Sequence, residues 1–71
     1  MQHIEINHEP VELYKILKFE ALASSGGEAK SLIAAGAVRV NGKVETRKRC
    51  KMNAGDFIEF GDEKYKLRLA Q

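Results

Sequence analysis

The chain has 71 residues, with twelve Lys or Arg against ten Asp or Glu and a formal net charge of +2. That length admits a single small domain spanning residues 1–71 and excludes a two-domain enzyme with a cleft between its halves. A composition of 44% hydrophobic and 31% charged residues is globular and lies outside the regime of disordered chains.

With no Trp, three Phe and two Tyr, the core must be built mainly from Leu, Ile, Val and Ala. His3-Ile4-Glu5-Ile6 alternates and reads as a short strand. Pro10 suits the first position of a helix, where its missing N–H costs nothing. Leu13, Ile16 and Leu17 then form one apolar stripe on a helix to about Glu20. Phe19 and Leu22 are expected to close its far end against the core. Ser25-Gly26-Gly27-Glu28 has the form of a capping box: Ser25 caps a second helix and Glu28 reaches back. Ala29, Leu32 and Ile33 supply that helix's buried face, and Gly36 its left-handed stop.

From Ala37 onward the period becomes two. Val38-Arg39-Val40 reads as a strand, and Asn41-Gly42 is a hairpin turn. A two-residue loop sets Lys43 beside Val40 and Val44 beside Arg39, so a bulge or a short pairing is expected. Lys43 to Met52 alternates as one strand, its odd positions Lys43, Glu45, Arg47, Arg49 and Lys51 all charged. Asn53-Ala54-Gly55-Asp56 is a turn, Phe57–Phe60 a strand and Gly61-Asp62 a turn. Tyr65, Leu67 and Leu69 alternate with Lys64, Lys66 and Arg68 in a last, edge-like strand whose charges discourage pairing between chains.

Charge is unevenly spread. Residues 1–27 carry a net −2, residues 28–51 a net +5 and residues 52–71 a net −1. On a strand, alternate residues stand about 6.6 Å apart, so Arg47, Arg49 and Lys51 are expected to form a row of cations on one face. Such a row repels itself until an anionic partner relieves it, and Arg forks onto phosphate oxygens. Lys43 and, from the neighbouring helix, Lys30 are expected to join it. The segment Ser24–Ser31 ends like a phosphate-binding loop, but Ser24 and Ala29 stand where the nucleotide motif needs Gly. His3 and His8 lack the further ligands of a zinc site. Cys50 falls on the inward phase of its strand and reads as a small buried hydrophobe. A lone cysteine forms no internal disulfide and points to a reducing cytoplasm. No signal peptide and no stretch of membrane-spanning length appears.

Helix, cap, helix and a strand ending in Asn-Gly resemble the S-four-type RNA-binding domain. The carrying residues are Leu22–Ser25, Glu28–Ile33, Gly36–Val44 and Gly55–Ile58, about residues 11–60 in all. The run Glu45–Lys51 is most similar to the small stand-alone bacterial members. The resemblance implies an α+β class and an α-L fold, two packed N-terminal helices against a small, strongly bent antiparallel sheet. It also implies RNA contact by the second helix and the strand after it. Lys30 matches a basic place on that helix, and Lys43 follows the turn. Two usual basic positions are here Gly26 and Glu12.

The expectation is thus a cytoplasmic, monomeric, non-enzymatic module for structured RNA, such as ribosomal or transfer RNA. It takes no cofactor, metal, membrane or small-molecule substrate. Its RNA-binding residues are expected to be Lys30, Arg39, Lys43, Arg47, Lys48, Arg49 and Lys51. The alternative is a protein-interaction adaptor docking an acidic partner through the same basic row. A sulfur carrier is disfavoured because the chain ends Leu69-Ala70-Gln71 and not in Gly-Gly.

Overall fold

Alternation at the N-terminus becomes strand β1 (Gln2–Ile6), with Ile4 and Ile6 turned into the core. The computed structural model describes residues 1–70. Pro10 does not open a helix. The Glu9–Pro10 peptide is cis, and Val11–Glu12 form a two-residue strand, β2, before helix α1 (Leu13–Phe19) begins. Glu12, at the N-cap, provides no side-chain cap. The first helical donors are met from elsewhere in the chain, Leu13 N–H donating to the Cys50 carbonyl (2.9 Å) and Tyr14 N–H to the Lys48 carbonyl (3.1 Å). Leu13, Ile16 and Leu17 form the expected stripe. Phe19 does not close the end of the helix but stands 68% exposed. At about 100° per residue it lies roughly 110° round from the centre of that stripe. Leu22 is half-buried against the core.

Helix α2 (Gly26–Ala34) is capped much as its sequence dictates. Ser25 Oγ accepts from the Glu28 N–H at 3.1 Å. The Glu28 carboxylate reaches one residue further back than a standard box, accepting from both the N–H and the hydroxyl of Ser24 at 2.9 Å. At the other end Gly36 N–H donates to Ile33 and Ala37 N–H to Leu32, a Schellman closure that requires the φ of +81° at Gly36. Ala29 and Ile33 are fully buried, whereas Leu32 is only half-buried.

Strands β3 (Val38–Val40) and β4 (Lys43–Val44) make a short hairpin with Arg39 opposite Val44 and Val40 opposite Lys43. Positive φ at Asn41 and Gly42 gives the two-residue loop the mirror-image turn that suits strand twist. The long strand expected to Met52 does not form. After Val44 the chain leaves the sheet, and the Glu45 carboxylate accepts from the Arg47 N–H at 2.9 Å. A turn at Lys48–Arg49 follows, and only Lys51–Met52 return to strand, as β5 paired antiparallel with β2.

Strands β6 (Phe57–Phe60) and β7 (Glu63–Leu69) complete a five-stranded sheet of order β1-β7-β6-β3-β4. Its class is α+β as expected, but the sheet is mixed, because β1 lies parallel to β7 with Ile4 opposite Leu67. Strand β7 is therefore interior and not an edge. Its alternation reports one buried face through Tyr65 and Leu67 and carries no information on what pairs beyond it. Leu13, Leu17, Ile33, Val38, Met52, Ile58 and Leu67 form the centre of one core shared by helices and sheet.

Candidate nucleic-acid interface

The carbonyls that start α1 belong to the 45–50 loop, so this most basic segment of the chain is held against the front of α1. Arg49 lies 3.4 Å from the Glu12 carboxylate, and its guanidinium sits 5.8 Å from the centre of the Tyr14 ring. Lys30, reaching across from α2, places its ammonium 4.7 Å from the same ring. Lys15 bonds Glu12 from the next turn of α1 at 3.3 Å. The two helices meet closely here. A Cβ added at Gly26 would lie 3.8 Å from Lys18 Cδ and 3.9 Å from Tyr14 Cε2.

Cations from three separate segments thus converge around Tyr14 and Glu12. Lys51, opposite Glu12 in the β2–β5 ribbon, adds its charge to the same carboxylate. Partial desolvation pushes the Glu12 pKa up. The hydrogen bond from Lys15 and the charges of Arg49, Lys15 and Lys51 outweigh it, and the net shift is downward. Glu12 is a carboxylate that binds its neighbouring cations to one another.

Arg47 is oriented differently. Its guanidinium forks onto Glu45 at 3.0 and 3.1 Å. That hydrogen bond, with the one from the Arg47 backbone, lowers the Glu45 pKa to about 2. Arg47, Arg49 and Lys51 are therefore not an evenly spaced row on one strand. One is tied back within the loop, one lies on Tyr14 and one sits in the ribbon. Lys48 is exposed at the turn. Arg39 and Lys43 project from the β3–β4 hairpin, Arg39 opposite Glu59 of β6. The Asn41 side chain fixes that hairpin, donating to Asp56 at 3.2 Å and accepting from the Phe57 N–H at 3.0 Å.

Cys50 is half-buried, and burial followed by the nearby Glu45 charge pushes its thiol pKa up, the reverse of an activated nucleophile. Among the described residues no three metal-ligating side chains gather, and no helix is long and apolar enough to cross a membrane. Sequence reasoning missed Tyr14, Lys15 and Lys18. Their signal was present, since all three fall off the apolar stripe of α1 and Tyr14 and Lys18 share a face at i, i+4.

A family model described as S4 domain matches residues 4–68. YbcJ of Escherichia coli strain K12 is 53% identical over 53 residues, covering 75% of this chain and 76% of its own length. YbcJ of Shigella flexneri matches to the same extent. The solution structure of YbcJ from E. coli superposes with a TM-score of 0.70 at 43% identity, covering 94% of this chain and 86% of that one. It is described as revealing an α-L motif involved in RNA binding. With nearly its whole length matched, two helices on a mixed sheet and a basic loop against the first helix, this chain belongs to the S4 domain family.

Proposed function

We propose that the chain binds structured RNA, such as ribosomal or transfer RNA, as a monomeric, non-catalytic, single-domain module of the cytoplasm. Lys30, Lys48, Arg49 and Lys51 contact phosphates, joined by Lys15 and Lys18 of α1, while Arg39 and Lys43 extend the surface along the hairpin. Arg47 contributes mainly by holding the loop through Glu45.

The observation that carries this reading is the convergence of Lys30 and Arg49, from two segments remote in sequence, on Tyr14 and Glu12 beside Lys15. Glu12 holds Lys15 and Arg49 together, yet it supplies one negative charge against four cations, Lys15, Lys30, Arg49 and Lys51. A phosphate backbone rewards that excess through counterion release. The α-L motif of the solved relative supports the same reading.

Purification under native conditions with nuclease treatment tests it. Retained, nuclease-protected RNA and a salt-dependent gel shift with a folded RNA hairpin are expected. A protein that elutes free of nucleic acid and shifts no RNA refutes the proposal and leaves an acidic protein partner as the reading of the basic surface.

A further inference from the structure

We propose that the Tyr14 ring is the seat of one unpaired nucleobase, with Lys30 and Arg49 moving onto the flanking phosphates. This rests on the RNA binding proposed above and deepens it by naming the element recognised: a bulged or looped-out nucleotide, not continuous duplex. Three aromatic rings carry cations among the described residues. Phe19 and Phe57 have one lysine each, whereas Tyr14 has two cations brought by different segments. Tyr65, the second tyrosine, is buried.

The Tyr14 ring is also well fixed. Its backbone N–H donates to the Lys48 carbonyl, and its half-buried side chain packs against the hydrophobic core. A ring held in place at half exposure is a stacking platform that needs no ordering on binding. In the free protein its π surface is engaged by flexible cations, Arg49 at the longer distance and with a side chain 62% exposed. An exposed cation–π contact is weaker than a base stacked on an aromatic ring, so a base displaces Arg49. The guanidinium then forks onto the adjoining phosphate. Every nucleobase has a π face, so the seat tolerates any base but demands one that is out of the helical stack.

The test uses an RNA hairpin with a single-nucleotide bulge and the same hairpin without it, against the full chain and its Tyr14→Phe and Tyr14→Leu variants. Stacking on an aromatic ring is worth roughly fivefold to more than a hundredfold in affinity per base. Tyr14→Leu is expected to weaken the bulged hairpin by about tenfold or more and the paired one by less than about twofold, with Tyr14→Phe close to the parent. The dependence of affinity on salt stays unchanged, because no cation is removed. A fluorescent adenine analogue in the bulge is expected to be quenched by the parent protein, an outcome independent of how well the variants fold. Equal losses on both hairpins, a flattened salt dependence in Tyr14→Leu or an unquenched bulge overturns the base seat while leaving RNA binding in place. Binding of neither hairpin by the parent overturns the RNA reading itself.

Discussion

The double substitution Lys30→Ala and Arg49→Ala separates a defined phosphate site from diffuse attraction. Both cations lie over Tyr14, at 4.7 and 5.8 Å, and neither is needed to complete the core. Each phosphate contact contributes about 0.7–0.9 to the slope of log affinity against log salt, so losing two flattens it by about 1.4–1.8. Between about 50 and 200 mM salt, the advantage of the parent protein over the variant then shrinks roughly tenfold. Fluorescence anisotropy with a labelled hairpin across that range measures the slope directly. Changing Lys64 and Lys66 to Ala removes the same charge from β7, where Lys64 instead lies over Phe57, and is expected to leave the slope nearly unchanged. The exposed Lys64 and Lys66 substitutions should each alter stability by about 0.5 kcal/mol or less, and the Lys30/Arg49 pair, half-buried at Lys30 and ion-paired at Arg49, by somewhat more, so the slope and not the affinity alone is the readout. Equal flattening by both pairs would refute a localised site, and an unchanged slope in the Lys30/Arg49 variant would show that these cations do not meet phosphate.

Ile33→Ala, at a fully buried position, should cost about 2–5 kcal/mol in urea unfolding, with the half-buried Leu32→Ala well below it; the opposite order would mean that α2 presents another face. Ser25→Ala should cost about 1 kcal/mol through the orphaned Glu28 N–H while leaving the salt slope of RNA binding intact; a collapse of binding at unchanged stability would make Ser25 a ligand contact. Glu45 is held at about 2 against an ordinary 4.5 by its bonds from Arg47. Its contribution to the loop is therefore complete above about pH 4.5 and lost as pH falls toward 2. The side-chain carboxyl resonance of Glu45 should report that midpoint, and Arg47→Gln should return it toward 4.5.

Much of the fold was legible because local chemistry decided it. Ser25 and Gly36 bracket α2 with capping residues, Asn41-Gly42 makes its hairpin turn, and the alternation in β7 follows the buried face. The loop at 45–50 was not legible. Its charge alternation mimics a strand, yet Thr46 and Lys48 on the supposed inward phase are exposed, so a period of two without an apolar face carried no pairing information. The absence of a capping side chain before Leu13 was the overlooked signal, because those helical donors had to find acceptors somewhere. The parallel β1–β7 pair was also hidden, since pairing between the two ends of a chain leaves no local trace. For the site, the cationic residues were visible in sequence, but their grouping was not. Tyr14 became central only once α1, α2 and the loop were placed together.

The carbonyls of Lys48 and Cys50 that begin α1 give the loop and the helix a common fate in local opening. The loop cannot swing free without exposing the Leu13 and Tyr14 amides to solvent, and α1 cannot fray at its start without releasing the loop. Amide exchange at those two positions therefore reads the motion of a segment far away in sequence. A ligand gripping Lys48 and Arg49 slows exchange at Leu13 and Tyr14 even where it touches neither backbone, so the front of α1 acts as a built-in gauge of occupancy on the loop.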